Sequence, residues 1–153
     1  MNLYNSFLAK LNKQSAAKLI LGCLLLEIAS SFIFSNLFPN GGSIGFKFDS
    51  LAEEIVAVVL IAPVLETFFI QYLIITETLK YSKDNTLLAL FISSSIFGLS
   101  HYYSIPYVVN TFFAGLTFGT LFLSQTPNFK RGFIYVLITH ASYNIFALIM
   151  NNI

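Results

Sequence analysis

Apolar residues fall into five long blocks along this chain, each closed by a short polar or turn-forming cluster, and blocks of that length predict helices that cross a bilayer. The first covers about residues 19–38; Pro39-Asn40-Gly41-Gly42 then predicts a turn, and the stretch to Ser50 is the longest polar break. The second, about residues 51–79, is longer than a bilayer needs, so it must tilt or protrude into the headgroups, and Pro63 predicts a kink within it. A polar turn at residues 80–84 leads to the third block, about residues 86–104, where Ser93, Ser94 and Ser95 read as small packing residues. Pro106 marks the next break. The fourth block, about residues 107–123, carries Gly115 and Gly119 at GxxxG spacing, which permits close helix approach, and the fifth runs from about residue 132 to the C-terminus. Ahead of them, residues 2–15 set Leu3, Phe7, Leu8 and Leu11 beside Lys10, Asn12 and Lys13, the spacing of a short amphipathic helix lying on the membrane surface. The first block is too long for the apolar region of a signal peptide and no Ala-x-Ala site follows it, so it is read as a span.

Charge orients this ladder. Lys10, Lys13, Lys18, Lys80, Lys83, Lys130 and Arg131 fall on one side of the five spans and only Lys47 on the other, which places the N-terminus in the cytoplasm and the C-terminus outside. Composition agrees: the 153 residues are 56% hydrophobic and 10% charged, with 17 Phe and a mean hydropathy of +0.76, values of an integral membrane protein. The length predicts one membrane domain over residues 1–153, an all-α polytopic bundle of about five spans plus the N-terminal interfacial helix. A net charge of +1 offers no basic surface for nucleic acid, and no Gly-rich phosphate loop is present. The lone Cys23 excludes an intrachain disulfide and reads as a buried thiol.

Against this apolar background a few ionisable residues stand out. Glu66 lies 12 residues after Glu54 and 11 before Glu77, roughly 17 Å from either polar edge on a helix and so near the midplane. Both histidines fall in predicted spans: His101, with Phe97 one turn before it, and His140, with Asn144 one turn after it on the same face. Taken singly, each is a common helix-packing group; taken jointly, three spans offering such groups point to one cavity. Glu66 is suited to take a proton from water as general base, assisted by His101, while His140 and Asn144 donate to a developing oxyanion. Glu66, His101 and His140 would equally hold a zinc ion with an open fourth position, and spacing does not choose. With Asn144 able to serve the oxyanion and no third histidine, a mechanism without metal or other cofactor is the preferred expectation. Glu27 is also intramembrane and reads first as structural, Glu53 and Glu54 as solvated, Asn110 as a helix cap or bridge, and Tyr102, Tyr103 and Tyr107 as interfacial aromatics.

The order of a Glu-containing motif, Phe97-x-x-x-His101 and His140-x-x-x-Asn144, each in its own span, resembles the CAAX prenyl protease and bacteriocin-processing family, also called the abortive-infection family of intramembrane endopeptidases. The resemblance covers about residues 52–148 and includes the glycines of span four. It implies that Glu66 and His101 activate water and that His140 and Asn144 support the oxyanion. The first motif departs: where the family has two adjacent glutamates and, after three residues, an arginine, this chain has Glu66, Thr67 and Gln71. Thr67 and Gln71 are expected to support the site by hydrogen bonding without adding a buried ion pair.

The expected function is therefore an intramembrane endopeptidase acting on membrane-associated peptides or protein tails, in a bacterial cell membrane. A second expectation, from the departures in motif one, is a non-catalytic member serving as a bacteriocin immunity factor or membrane binding partner. A carrier or channel fits less well, because no inverted repeat and few polar pathway residues are present. Homo-oligomerisation is a further expectation, since short spans leave much surface and the Gly115 and Gly119 pair suits packing within or between chains. One tension stands: counted from Asp84, His101 is 17 residues into span three, roughly 26 Å from the cytoplasmic edge, while Glu66 and His140 fall near the midplane. Either span three tilts or begins below the bilayer core, or the site is displaced toward the outer leaflet.

Overall fold

The computed structural model describes residues 3–39 and 48–152, the side chains of the last two excepted. Six helices follow one another: α1 (Leu3–Asn12), α2 (Ala16–Leu37), α3 (Leu51–Tyr81), α4 (Thr86–Ser100), α5 (Ile105–Ser124) and α6 (Phe129–Asn152). The molecule is an all-helical membrane bundle. Helices α2, α3, α5 and α6 are each long and apolar enough to cross a bilayer, whereas the third predicted span is the 15-residue α4. Lys47 and the predicted turn residues Asn40 to Gly42 lie outside the described residues.

Local chemistry sets the helix ends. Ser15, Ser50, Asn85 and Ser104 each accept a backbone N–H of the first turn of the helix they precede. Glu53 reaches back to the N–H of Asp49, so Ser50 and Glu53 close the start of α3 together. Pro106 sits in the first turn of α5, where its missing N–H costs nothing.

Pro63 does not break α3. The turn ahead of it, Ile55–Ile61, is wound as a π-helix, and the N–H of Ala62 bonds to the carbonyl of Ala57 five residues back. Wide winding there relieves the crowding that the proline ring imposes on the preceding turn of an α-helix. A short α-helical stretch, Ala62–Glu66, follows, and a second wide segment, Thr67–Ile74, begins directly after Glu66.

Packing is densest between α4 and α5. A Cβ on Gly115 would come within 2.8 Å of the Ser94 backbone, and one on Gly98 within 2.9 Å of the Val108 carbonyl. Both glycines therefore let two helix backbones touch, and the Gly115 contact is made inside one chain. Ser93 Oγ donates to the Ile70 carbonyl at 3.0 Å, which ties α4 to α3 without bulk. The apolar core, including Ile75, Ala89, Phe118, Leu121, Phe122 and Val136, lies toward the end of the bundle that carries most of the basic residues.

Helix α1 docks on that same end. Tyr4 bonds Thr120 at 3.1 Å, Asn12 Nδ2 donates to the Ser124 carbonyl at 2.5 Å, and Thr86 Oγ1 donates to Asn5 at 2.5 Å. Leu8 is buried while Leu3 and Phe7 stay exposed, as an interfacial helix requires. Helix α2 presents most of its surface outward and turns Leu19, Cys23, Glu27, Ser31 and Phe34 inward, a spacing of about one turn.

Gly115→Leu is expected to force α4 from α5 and lower stability by about 2 kcal/mol or more, read as thermal unfolding of the purified protein in detergent. Gly22→Ala, whose new methyl would meet nothing within 4 Å, should leave the unfolding temperature unchanged.

Candidate active site

The short α4 creates the space for a site. Fifteen residues span about 22 Å, so α4 stops well before α3 and α6 do, and the corner between α4 and α5 lies at the level of Glu66 and His140. Beyond that corner a cavity of about 750 Å³ opens between α2, α3 and α6, with Phe38, Pro39, Phe48, Tyr103 and Pro106 around its outer part. Glu66, His101, His140 and Asn144 all line it.

His101, expected inside a span, is instead the residue that ends α4, with non-helical backbone angles of φ −108° and ψ 47°. That difference removes the mismatch in depth: the helix is short, and the imidazole sits where the chain turns. His101 Nδ1 lies 2.7 Å from the carbonyl oxygen of Phe97, which can only accept, so Nδ1 carries the hydrogen and Nε2 keeps its lone pair. The Phe97 ring fills the wedge between the imidazoles, with centroids 4.8 Å from His101 and 5.8 Å from His140. The spacing of four residues thus gives His101 both a hydrogen-bond acceptor and a ring to lean on.

Both imidazoles turn Nε2 toward one carboxylate oxygen. Glu66 Oε2 is 3.8 Å from His101 Nε2 and 3.7 Å from His140 Nε2. These separations exceed direct hydrogen bonds and leave a water placed at the carboxylate within reach of either ring. Among the described residues Glu66 Oε2 has no hydrogen-bond partner, and neither has His140 Nδ1. His140 is the most enclosed of the three, its ring packed at 4.8 Å on Phe118. Asn144, one turn along α6, donates one amide hydrogen to the carbonyl of Val58 at 2.7 Å. Val58 lies in the wide turn of α3, so Asn144 is held by backbone that the π winding presents.

Thr67 and Gln71 do not join this group. Both are fully buried, neither lines the cavity, and Thr67 Oγ1 and both amide atoms of Gln71 lack hydrogen-bond partners among the described residues. Neither side chain makes a hydrogen bond to the four cavity residues.

Other residues contribute that the sequence pattern assigned elsewhere. Tyr107, read as interfacial, lines the cavity with its ring 5.9 Å from His101, while Tyr103 stands at the mouth and Tyr102 remains exposed. Five residues separate His101 from Tyr107 across a helix corner, and Ser104, which caps that corner, was the available signal. Glu54, read as solvated, lines the outer cavity. Asn110 accepts from Ser30 at 3.2 Å, and Tyr143 pairs with Ser31, so α2 is fastened over the site by two polar contacts. No three His, Cys, Asp or Glu side chains among the described residues are arranged to hold a metal ion.

Comparison with curated proteins and with solved structures finds no match. The family model of the type II CAAX prenyl endopeptidase Rce1-like proteins matches residues 49–146, from the start of α3 to just past Asn144, and so takes in all four cavity residues. The chain, an integral membrane protein with about two thirds of its length inside that match, belongs to the type II CAAX prenyl endopeptidase Rce1-like family.

Proposed function

We propose that the chain is an intramembrane endopeptidase that cleaves membrane-associated peptides or protein tails with a water activated by Glu66. The observation that carries this reading is the approach of two imidazoles to a single carboxylate oxygen inside a cavity large enough for a peptide segment. Glu66 accepts a proton from the water, whose other hydrogen is directed to the bare Nε2 of His101. The resulting hydroxide adds to the scissile carbonyl, and the oxyanion accepts hydrogen bonds from His140 Nε2–H and the Asn144 amide. Collapse breaks the C–N bond while Glu66 returns its proton to the departing amine. The non-catalytic reading rests on Thr67 and Gln71, and their positions outside the cavity leave the four groups together whatever they contribute.

Glu66, His101 and His140 are also the residues that would hold a zinc ion, which would supply a metal-bound nucleophile.

Orientation follows from the ends of the helices. With the basic ends of α2, α3 and α6 in the cytoplasm, the cavity opens on the opposite face, and substrates enter from outside. The N-terminus is then cytoplasmic and the C-terminus external.

Against a quenched peptide library in proteoliposomes, Glu66→Gln and His101→Ala are expected to lower kcat by on the order of a thousandfold, and His140→Ala and Asn144→Ala by on the order of a hundredfold. Full activity of Glu66→Gln would end the general-base assignment.

Elemental analysis of active protein should find substoichiometric zinc, and chelators should leave turnover unchanged. A tightly held ion whose removal abolishes activity would reverse the metal-free reading.

In a background lacking Cys23, Ser35→Cys at the cavity should react with an impermeant maleimide added to intact cells, and Lys83→Cys only after permeabilisation. The opposite pattern would place the mouth in the cytoplasm.

A further inference from the structure

A second, smaller cavity of about 60 Å³ shares His101, His140, Tyr143 and Asn144 with the first and adds Glu27 of α2 and Phe118 of α5. Its volume suits one or two waters. Glu27 is only 3% exposed, its Oε1 has no hydrogen-bond partner among the described residues, and it lies outside the stretch that the family model matches. His140 also lines this cavity, and its Nδ1 likewise has no hydrogen-bond partner among the described residues. Two unsatisfied groups whose residues line one small polar space call for a shared partner, which a single water would supply.

The direction of that bridge follows from what His140 must do. Neutral imidazole carries one hydrogen, so donating from Nε2 to an oxyanion requires Nδ1 to be bare and to accept from a donor. Ring contacts with Phe97 and Phe118 offer none. A carboxylic acid can supply it. Thr117 of α5 lies near the Glu27 carboxyl, with its hydroxyl donating to the Phe113 carbonyl, and Glu27 Oε1 is without a hydrogen-bond partner among the described residues. The titratable groups around Glu27 are Cys23 on its own helix, Tyr107 from α5, His140 and Tyr143 from α6, and His101 at the corner. No Lys or Arg lines the space among the described residues.

We propose that Glu27, as a carboxylic acid, donates through a water in this cavity to His140 Nδ1 and so holds the ring with its hydrogen on Nε2. Glu27 is then a positioning residue for the oxyanion donor; the direction of the bridge rests on the hydrolytic reading, whereas the tautomer can be measured without any activity. The two histidines differ by design of their surroundings. His101 is fixed with Nε2 bare by the Phe97 carbonyl, and His140 with Nε2 protonated by Glu27, so one carboxylate oxygen faces an acceptor on one side and a donor on the other.

The test reads the tautomer and the kinetics separately. In protein carrying ¹⁵N-histidine, NMR should report hydrogen on His140 Nε2 in the wild type and in Glu27→Gln, whose amide still donates. Glu27→Met, of similar size but without a donor, should shift the ring toward the Nδ1–H form. On a cleaved peptide, Glu27→Met should lose kcat by on the order of ten- to a hundredfold with KM nearly unchanged, and Glu27→Gln should stay within a few-fold of wild type. A His140 that keeps Nε2–H in Glu27→Met, or a Glu27→Gln protein as slow as Glu27→Met, overturns the proposal. If no variant cleaves peptide, the hydrolytic reading fails and the tautomer measurement still decides the link. Should Glu27→Met not fold, a wild-type titration replaces it: the Glu27 carboxyl ¹³C shift and the His140 ¹⁵N shifts must move at one common pH, and independent titration sinks the link.

Discussion

A carboxyl placed in the hydrocarbon layer must be given water or polar neighbours, because transfer of an unpaired charge to a low-dielectric interior is among the most costly steps a fold can take. This bundle answers that constraint at Glu66, and much of its architecture follows. Helix α4 ends early, the chain turns at His101, and the space left behind opens a cavity that reaches the carboxyl. Two imidazoles and an amide converge there, each held by a contact of its own: His101 by the Phe97 carbonyl, His140 by Phe118, Asn144 by the Val58 carbonyl. Removing the short helix would leave Glu66 among lipid and side chains with no route for solvent.

The wide winding of α3 has a related role. A regular helix would keep the carbonyl of Val58 within its own ladder and would meet the ring of Pro63 head on. Wound wider, the same segment accommodates the proline and gives Asn144 an acceptor. Pro63 and Asn144 are far apart in the sequence, yet one backbone irregularity serves both.

Much of this was legible in the residues. Apolar block length identified the membrane class and the order of the helices, and ionisable groups in apolar blocks, at intervals of one helical turn, singled out Glu66, His101, His140 and Asn144. The corner after α4 was not legible by hydropathy, because Tyr102, Tyr103 and Ile105 continue the apolar pattern through a break that is set by Ser104 and Pro106. Thr67 and Gln71 were named by the motif and not by a helical face, since residues one and five places after Glu66 lie well round a helix from it. Glu27 could be recognised as intramembrane, but its neighbours belong to helices whose rotation no single-chain periodicity fixes.

The early end of α4 also divides the molecule electrically. Where the cavity is wet, the local potential follows that of the adjoining solution, and the transmembrane voltage falls mainly across the dry remainder. That remainder is the plug formed by Phe118, Leu121, Phe122, Leu123 and Val136, each at most 2% exposed. A proton moved across a full bilayer would feel about 2.3 kcal/mol for every 100 mV, whereas proton transfers confined to the wet side of the plug feel little of it. Proton exchange at Glu66 would therefore be neither driven nor stalled by the voltage of an energised membrane, and the tight seam at Gly98 and Gly115 closes the wet side against a leak.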